Sequence, residues 1–193
     1  MRGRSARLAP LLALLALAGC ATPYAQGRTA LRQERYDEAL SHFSEALARD
    51  PGRLDARAGL GVARYKLGAF DRAEAALRQV LAQAPKHAEA RFYLGLAYLQ
   101  KGENTAADEQ LTALLALELH PRIAAQINRA LKVIRAGPLS DEVKRFVAAS
   151  LEDEVEWEQD VREAERVQRV YVVEPAGLIY WPPYWYPRRF PPP

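Results

Sequence analysis

Cysteine is almost absent from this chain: Cys20 stands alone among 193 residues. No intrachain disulfide can form, and no thiolate cluster can hold a metal. Histidine is scarce as well. His42, His87 and His120 lie far apart, with no His-Glu-x-x-His or other metal-ligand spacing. There is no Gly-x-Ser-x-Gly elbow and no phosphate-cradling glycine loop. Asp37, Glu38 and Glu45 fall where a solvated helix surface carries acids. The chain therefore reads as a non-enzyme with no catalytic residues, no metal and no cofactor. Long hydrophobic runs are missing too. The stretch Leu8–Ala18 is broken by Pro10 and is too short to span a bilayer as a stable helix.

That short run has a specific setting. Arg2, Arg4 and Arg7 precede it, and Leu17-Ala18-Gly19-Cys20 closes it. A basic segment, a short apolar segment and small residues form an export signal. With Cys placed directly after them, the segment resembles the lipobox of bacterial lipoproteins. The resemblance implies removal of residues 1–19, lipidation of Cys20 and a chain held on a membrane by its acyl groups. Ala21 in place of Asp implies the outer membrane, facing the periplasm. Loss of the leader removes three arginines and no acid, which takes the net charge from +3 to zero. The electrostatic footprint expected of a nucleic-acid binder goes with it.

Superposing the sequence on itself at an offset of 34 aligns Gly27, Gly61 and Gly95; Ala39, Ala73 and Ala107; and Leu47, Leu81 and Leu115. Gly68 aligns with Gly102, Leu77 with Leu111 and Pro51 with Pro85. Small residues let paired helices approach, leucines at helical spacing fill the seam, glycines permit a turn and prolines end a helix. The period and residue types resemble tetratricopeptide repeats, each a helix, a turn and a second helix. The fold expected is all-α, with about three repeats at 20–53, 54–87 and 88–121. Two departures stand out: Glu34 occupies the turn-glycine column of the first repeat, and Leu119 the proline column of the third. The second predicts a longer final helix.

Beyond the array, Ile123, Ile127, Leu131 and Ile134 lie on one face of a segment stopped by Gly137-Pro138. Residues 122–137 are expected to form a capping helix, as the last repeat of a solenoid requires. Residues 138–170 read as a long charged helix with Ser140 as N-cap and a stripe of Val143, Phe146, Val147, Trp157, Val161 and Ala164. From Asp141 to Arg169 there are ten acids and five bases, net −5, against +4 over 20–137. Residues 171–193 form an aromatic, proline-rich tail that includes Trp181, Tyr184 and Trp185. So much proline excludes helix and favours extended chain, and such aromatic area favours burial against something.

The family resemblance implies a peptide-binding groove lined by the first helix of each repeat. Carried over by the alignment, its positions include Tyr24, Arg28 and Leu31; Val62, Tyr65 and Lys66; and Phe92, Leu96 and Leu99. The Lys and Asn set with which some relatives hold a terminal carboxylate is not present. The function expected is a membrane-anchored adaptor that binds envelope proteins in assembling a pilus, secretion, export or cell-wall machine. An alternative is a structural tether whose charged helix and aromatic tail do the binding. An enzyme of unrecognised type ranks last.

Overall fold

The computed structural model describes residues 22–171, and every described element is a helix. The helices are α1 (Pro23–Arg32), α2 (Tyr36–Arg49), α3 (Leu54–Lys66), α4 (Phe70–Gln83), α5 (Ala88–Lys101), α6 (Asn104–Leu115), α7 (Pro121–Arg135) and α8 (Asp141–Tyr171). The chain divides into two compact units, one reaching Glu154 and one beginning at Val155. The first holds the array. In the second, α8 continues as helix to Tyr171, and Trp157 on it is exposed. The leader, Cys20 and the aromatic tail with Trp181, Tyr184 and Trp185 lie outside the described residues.

Helices α1 to α6 pair as three hairpins, α1 with α2, α3 with α4 and α5 with α6. Each second helix packs on the first helix of the next hairpin. The first helices also meet one another, α1 with α3 and α3 with α5. Gly68 (φ +74°) and Gly102 (φ +80°) end α3 and α5 in the left-handed region. Around Gly68 the amide donates to the Tyr65 carbonyl, and the next amide, of Ala69, reaches back to that of Arg64. Gly102 and Glu103 repeat the pattern with Leu99 and Tyr98. This double closure satisfies the last carbonyls of the helix. Glu34 makes the same two closures, to Leu31 and through Arg35 to Ala30, at φ +57°. Turn geometry is thus uniform across the array, and the first repeat holds a residue with a Cβ where glycine is the unstrained choice.

Packing explains the small-residue columns. Ala39, Ala73 and Ala107 are wholly buried. Phe43, Leu77 and Leu111 form an aligned column of buried side chains, also with zero exposure. A Cβ on Gly61 would stand 2.7 Å from Leu77, and one on Gly95 would stand 3.1 Å from Leu111. The larger Phe43 needs two glycines: a Cβ on Gly27 would stand 2.8 Å from the ring Cε1, and one on Gly59 would stand 2.6 Å from the same atom. Repeat one therefore borrows space from repeat two.

The third repeat ends earlier than its sequence implies. Helix α6 stops at Leu115 rather than running longer, and after the turn at 116–119 His120 and Pro121 start the next helix. The His120 imidazole accepts from the Arg122 amide, and Pro121 sits at the first helical position. Helix α7 packs on α6, buries Ile123, Ile127, Leu131 and Ile134, and ties Arg135 to Asp108 at 2.6 Å. The stripe expected along α8 is displaced. Val147 of that stripe is buried, but Val143, Phe146 and Trp157 are exposed, Phe146 by 74%, and among the described residues of α8 the other buried ones are Ala148 and Leu151. At 100° per residue the buried set centres well over 100° from Phe146. Small Ala148 carried too weak a signal to mark that face from sequence.

Candidate functional site: the first-helix face of the array

The residues expected to line a groove occupy α1, α3 and α5, the first helices that meet one another along the array. Most of them are not open to solvent. Val62, Tyr65, Phe92, Leu96 and Leu99 are buried, Tyr65 with 6% of its surface exposed and Leu99 with none. Tyr24, Arg28, Leu31 and Lys66 are half-buried.

At the end nearest the N-terminus, Arg28 on α1 reaches past α3 to Glu89 on α5, with Nη1 to Oε1 at 2.7 Å. Burial works against the Arg28 charge, but the Glu89 carboxylate more than offsets it and the guanidinium pKa rises. The Arg53 guanidinium stacks over the Tyr24 ring at 4.1 Å. His87 caps α5 by accepting from the Ala90 amide through Nδ1 and faces Asp55 with Nε2 at 3.5 Å. Two of the three histidines are therefore helix caps, His87 on α5 and His120 on α7, a role that sequence reading did not assign them.

The centre of the face is aromatic. Tyr65 packs against Phe70 and Tyr93 at ring separations of 5.6 and 5.4 Å, and Phe92 meets Tyr93 edge-on at 5.2 Å. Burial, helped by the Glu152 carboxylate, pushes the Tyr65 phenol far above its ordinary pKa. At the outer rim Lys101 binds Glu74, Asp71 and Glu103 at 2.7, 2.9 and 2.8 Å, joining repeats two and three.

The far end is covered by the chain itself. Glu152 on α8 pairs with Lys66 on α3 at 3.2 Å, Glu154 pairs with Arg122 on α7, and Ser150 meets Gln126 on α7. The Lys144 ammonium lies 3.6 Å from where a Cβ on Gly102 would stand. Residues 144–154 thus run antiparallel to α7 and lie against the ends of α3 and α5. Sequence reading placed none of Ser150, Glu152, Glu154, Arg122 or Gln126 at the site. The opposed net charges of the array and the 141–169 helix were the signal available. Among the described residues no cluster of His, Cys, Asp or Glu could hold a metal, and no helix is long and apolar enough to cross a membrane.

Two tetratricopeptide-repeat family profiles match the chain, one over residues 30–83 and one over 59–122. The chain is a tetratricopeptide-repeat protein. Solved structures of the same fold include the Yersinia enterocolitica type III secretion translocator chaperone SycD, 20% identical, covering 65% of this chain and 91% of that one, with a TM-score of 0.56. PcrH in complex with the chaperone binding region of PopD is 21% identical, covering 70% and 97%, with a TM-score of 0.53. The first tetratricopeptide domain of Spaghetti (RPAP3) bound to an HSP90 peptide is 20% identical, covering 59% and 88%, with a TM-score of 0.54. No curated protein matches the chain. The tetratricopeptide fold supports a protein–protein interaction role, and the all-helical hairpin array agrees with the fold class expected from the 34-residue period.

Proposed function

We propose that this protein is a lipid-anchored adaptor of the bacterial cell envelope, facing the periplasm from the outer membrane and binding a protein component of an envelope machine. The observation that carries the reading is the junction between leader and array. Cys20 is followed by a single residue before Thr22, whose hydroxyl accepts from the Ala25 amide and caps α1, with Pro23 at its first position. Lipidation there would set the first repeat within about 10 Å of the bilayer surface, from the reach of two or three extended residues. Support for a secretion or assembly context comes from SycD and PcrH, two chaperones among the proteins of like fold, one named for type III secretion and the other solved with its binding region of PopD.

The test is a Cys20→Ser protein expressed with its leader in a bacterial host. Acyl labelling and membrane pelleting in high salt should both disappear, and cross-linked envelopes should yield a partner for the wild type that the variant loses. A variant that pellets like the wild type places the anchor elsewhere and refutes the reading.

A further inference from the structure

We propose that residues 144–154 of α8 are an exchangeable occupant of the first-helix face, and that the partner is an amphipathic helix of the same chemistry that replaces them. The inference deepens the adaptor reading and rests on it.

The occupant's pattern is explicit. Val147, Ala148 and Leu151 are its buried residues, and Glu152 and Glu154 present carboxylates to Lys66 and Arg122. A partner helix fits if it carries small or aliphatic side chains at i, i+1 and i+4 and acids at i+5 and i+7. The receiving side supplies the matching cations on two separate helices, α3 and α7, so charge complementarity selects an acidic helix.

The attachment is thin compared with the seams of the array. Each seam is filled by a fully buried Phe43, Leu77 or Leu111, closed against glycine and alanine columns. Helix α7 buries four large aliphatic residues. The α8 segment has two aliphatic residues larger than alanine, and its ion pairs include the half-exposed Arg122 side chain. The half-exposed Arg122 pair adds little net attraction in water, and the more buried Lys66–Glu152 pair gains an attraction that the cost of desolvating both groups largely offsets. The link from α7 passes through Gly137 at φ +144° and Pro138, a backbone conformation that an L side chain rarely adopts. Elements held by few buried apolar contacts open at lower free energy than the core. A ligand competing with a cis segment binds with an affinity reduced by the closed fraction.

The probe is a fluorescein-labelled synthetic peptide of residues 140–156, titrated by anisotropy into the full mature chain carrying Cys20→Ser. Adding Leu151→Asp, which prevents the cis segment from seating, should tighten peptide binding at least tenfold relative to the chain that keeps Leu151. Adding Lys66→Glu and Arg122→Glu as well should abolish that gain. Hydrogen exchange on the chain that keeps Leu151 supplies a second measurement that needs no core substitution. Amides of residues 147–154 should exchange at least a hundredfold faster than those of residues 127–134 in α7. Equal peptide affinity with and without Leu151→Asp overturns the proposal. So does exchange of 147–154 as slow as that of α7, whether or not Leu151→Asp folds. The adaptor reading fails separately, if cross-linked envelopes return no partner for the wild type while the peptide and exchange results hold.

Discussion

Phe43 is the tightest point of the array, and Gly59→Ala tests how its space is shared. The ring has no exposed surface and lies between Gly27 of its own repeat and Gly59 of the next. A methyl on Gly59 would stand 2.6 and 2.7 Å from the two ring ε carbons. A buried ring held on both sides cannot give way as a leucine end can, so overpacking should cost about 3 kcal/mol, the upper part of its usual range. Gly59 is also interior to α3, where alanine is favoured over glycine by about 1 kcal/mol. The net expectation is a loss of about 2 kcal/mol, a fall in Tm of about 4–8 °C for a chain of this size. The sign should reverse when the ring is removed. In a Phe43→Leu background the clash is relieved, and Gly59→Ala should stabilise by up to about 1 kcal/mol, a coupling of about 3 kcal/mol between the two sites. The same change at Gly61, facing Leu77 at 2.7 Å, should cost less, and at Gly95, facing Leu111 at 3.1 Å, least. Urea unfolding followed by circular dichroism measures all of these. If Gly59→Ala has the same sign and size with Phe43 and with Leu at that position, the shared-space account is refuted.

Two further outcomes follow from the turns and the rim. Glu34 holds a left-handed backbone that costs a non-glycine residue about 1–2 kcal/mol, partly offset by the greater freedom glycine would have unfolded. Glu34→Gly should therefore raise stability by about 0.5–1 kcal/mol, while Gly68→Ala and Gly102→Ala lower it; an unchanged or reduced midpoint for Glu34→Gly would contradict the turn assignment. At the rim, hydrogen bonding to Lys101 draws the Glu74 carboxyl below its ordinary pKa. A depressed carboxylate contributes stability that is complete above its unfolded value and lost as pH falls through the lower native one. The wild type should thus lose stability below about pH 4.5, the ordinary glutamate value, more steeply than Lys101→Met. Parallel acid limbs for the two proteins would show that the Lys101 cluster does not clamp the repeats.

The amino-acid sequence by itself determined the repeat, because a 34-residue period places glycine, alanine and leucine in columns wherever neighbouring helices meet in the same way. It also marked the end of α3 and α5 through Gly68 and Gly102, since these residues act on the backbone locally, whereas Pro121 proved to start α7 and not to close a longer α6. Glu34 showed the limit of that logic: the first turn closes as the others do, because packing on both sides imposes the geometry whichever residue sits there. The dependence of Phe43 on Gly59 was invisible to a column alignment, which compares equivalent positions and not the facing position of the next repeat. Exposure of the first-helix face was likewise decided by tertiary structure alone. Arg28 read as a free groove cation until Glu89, sixty-one residues away in sequence, was found against it. Lys66 read the same way until Glu152 was placed on it by a helix whose net charge hinted at attraction but could not specify the contact. Local residue types determine where helices begin, turn and stop. Long-range charge pairing and shape decide which of their faces remains open, and those depend on where the chain returns in space.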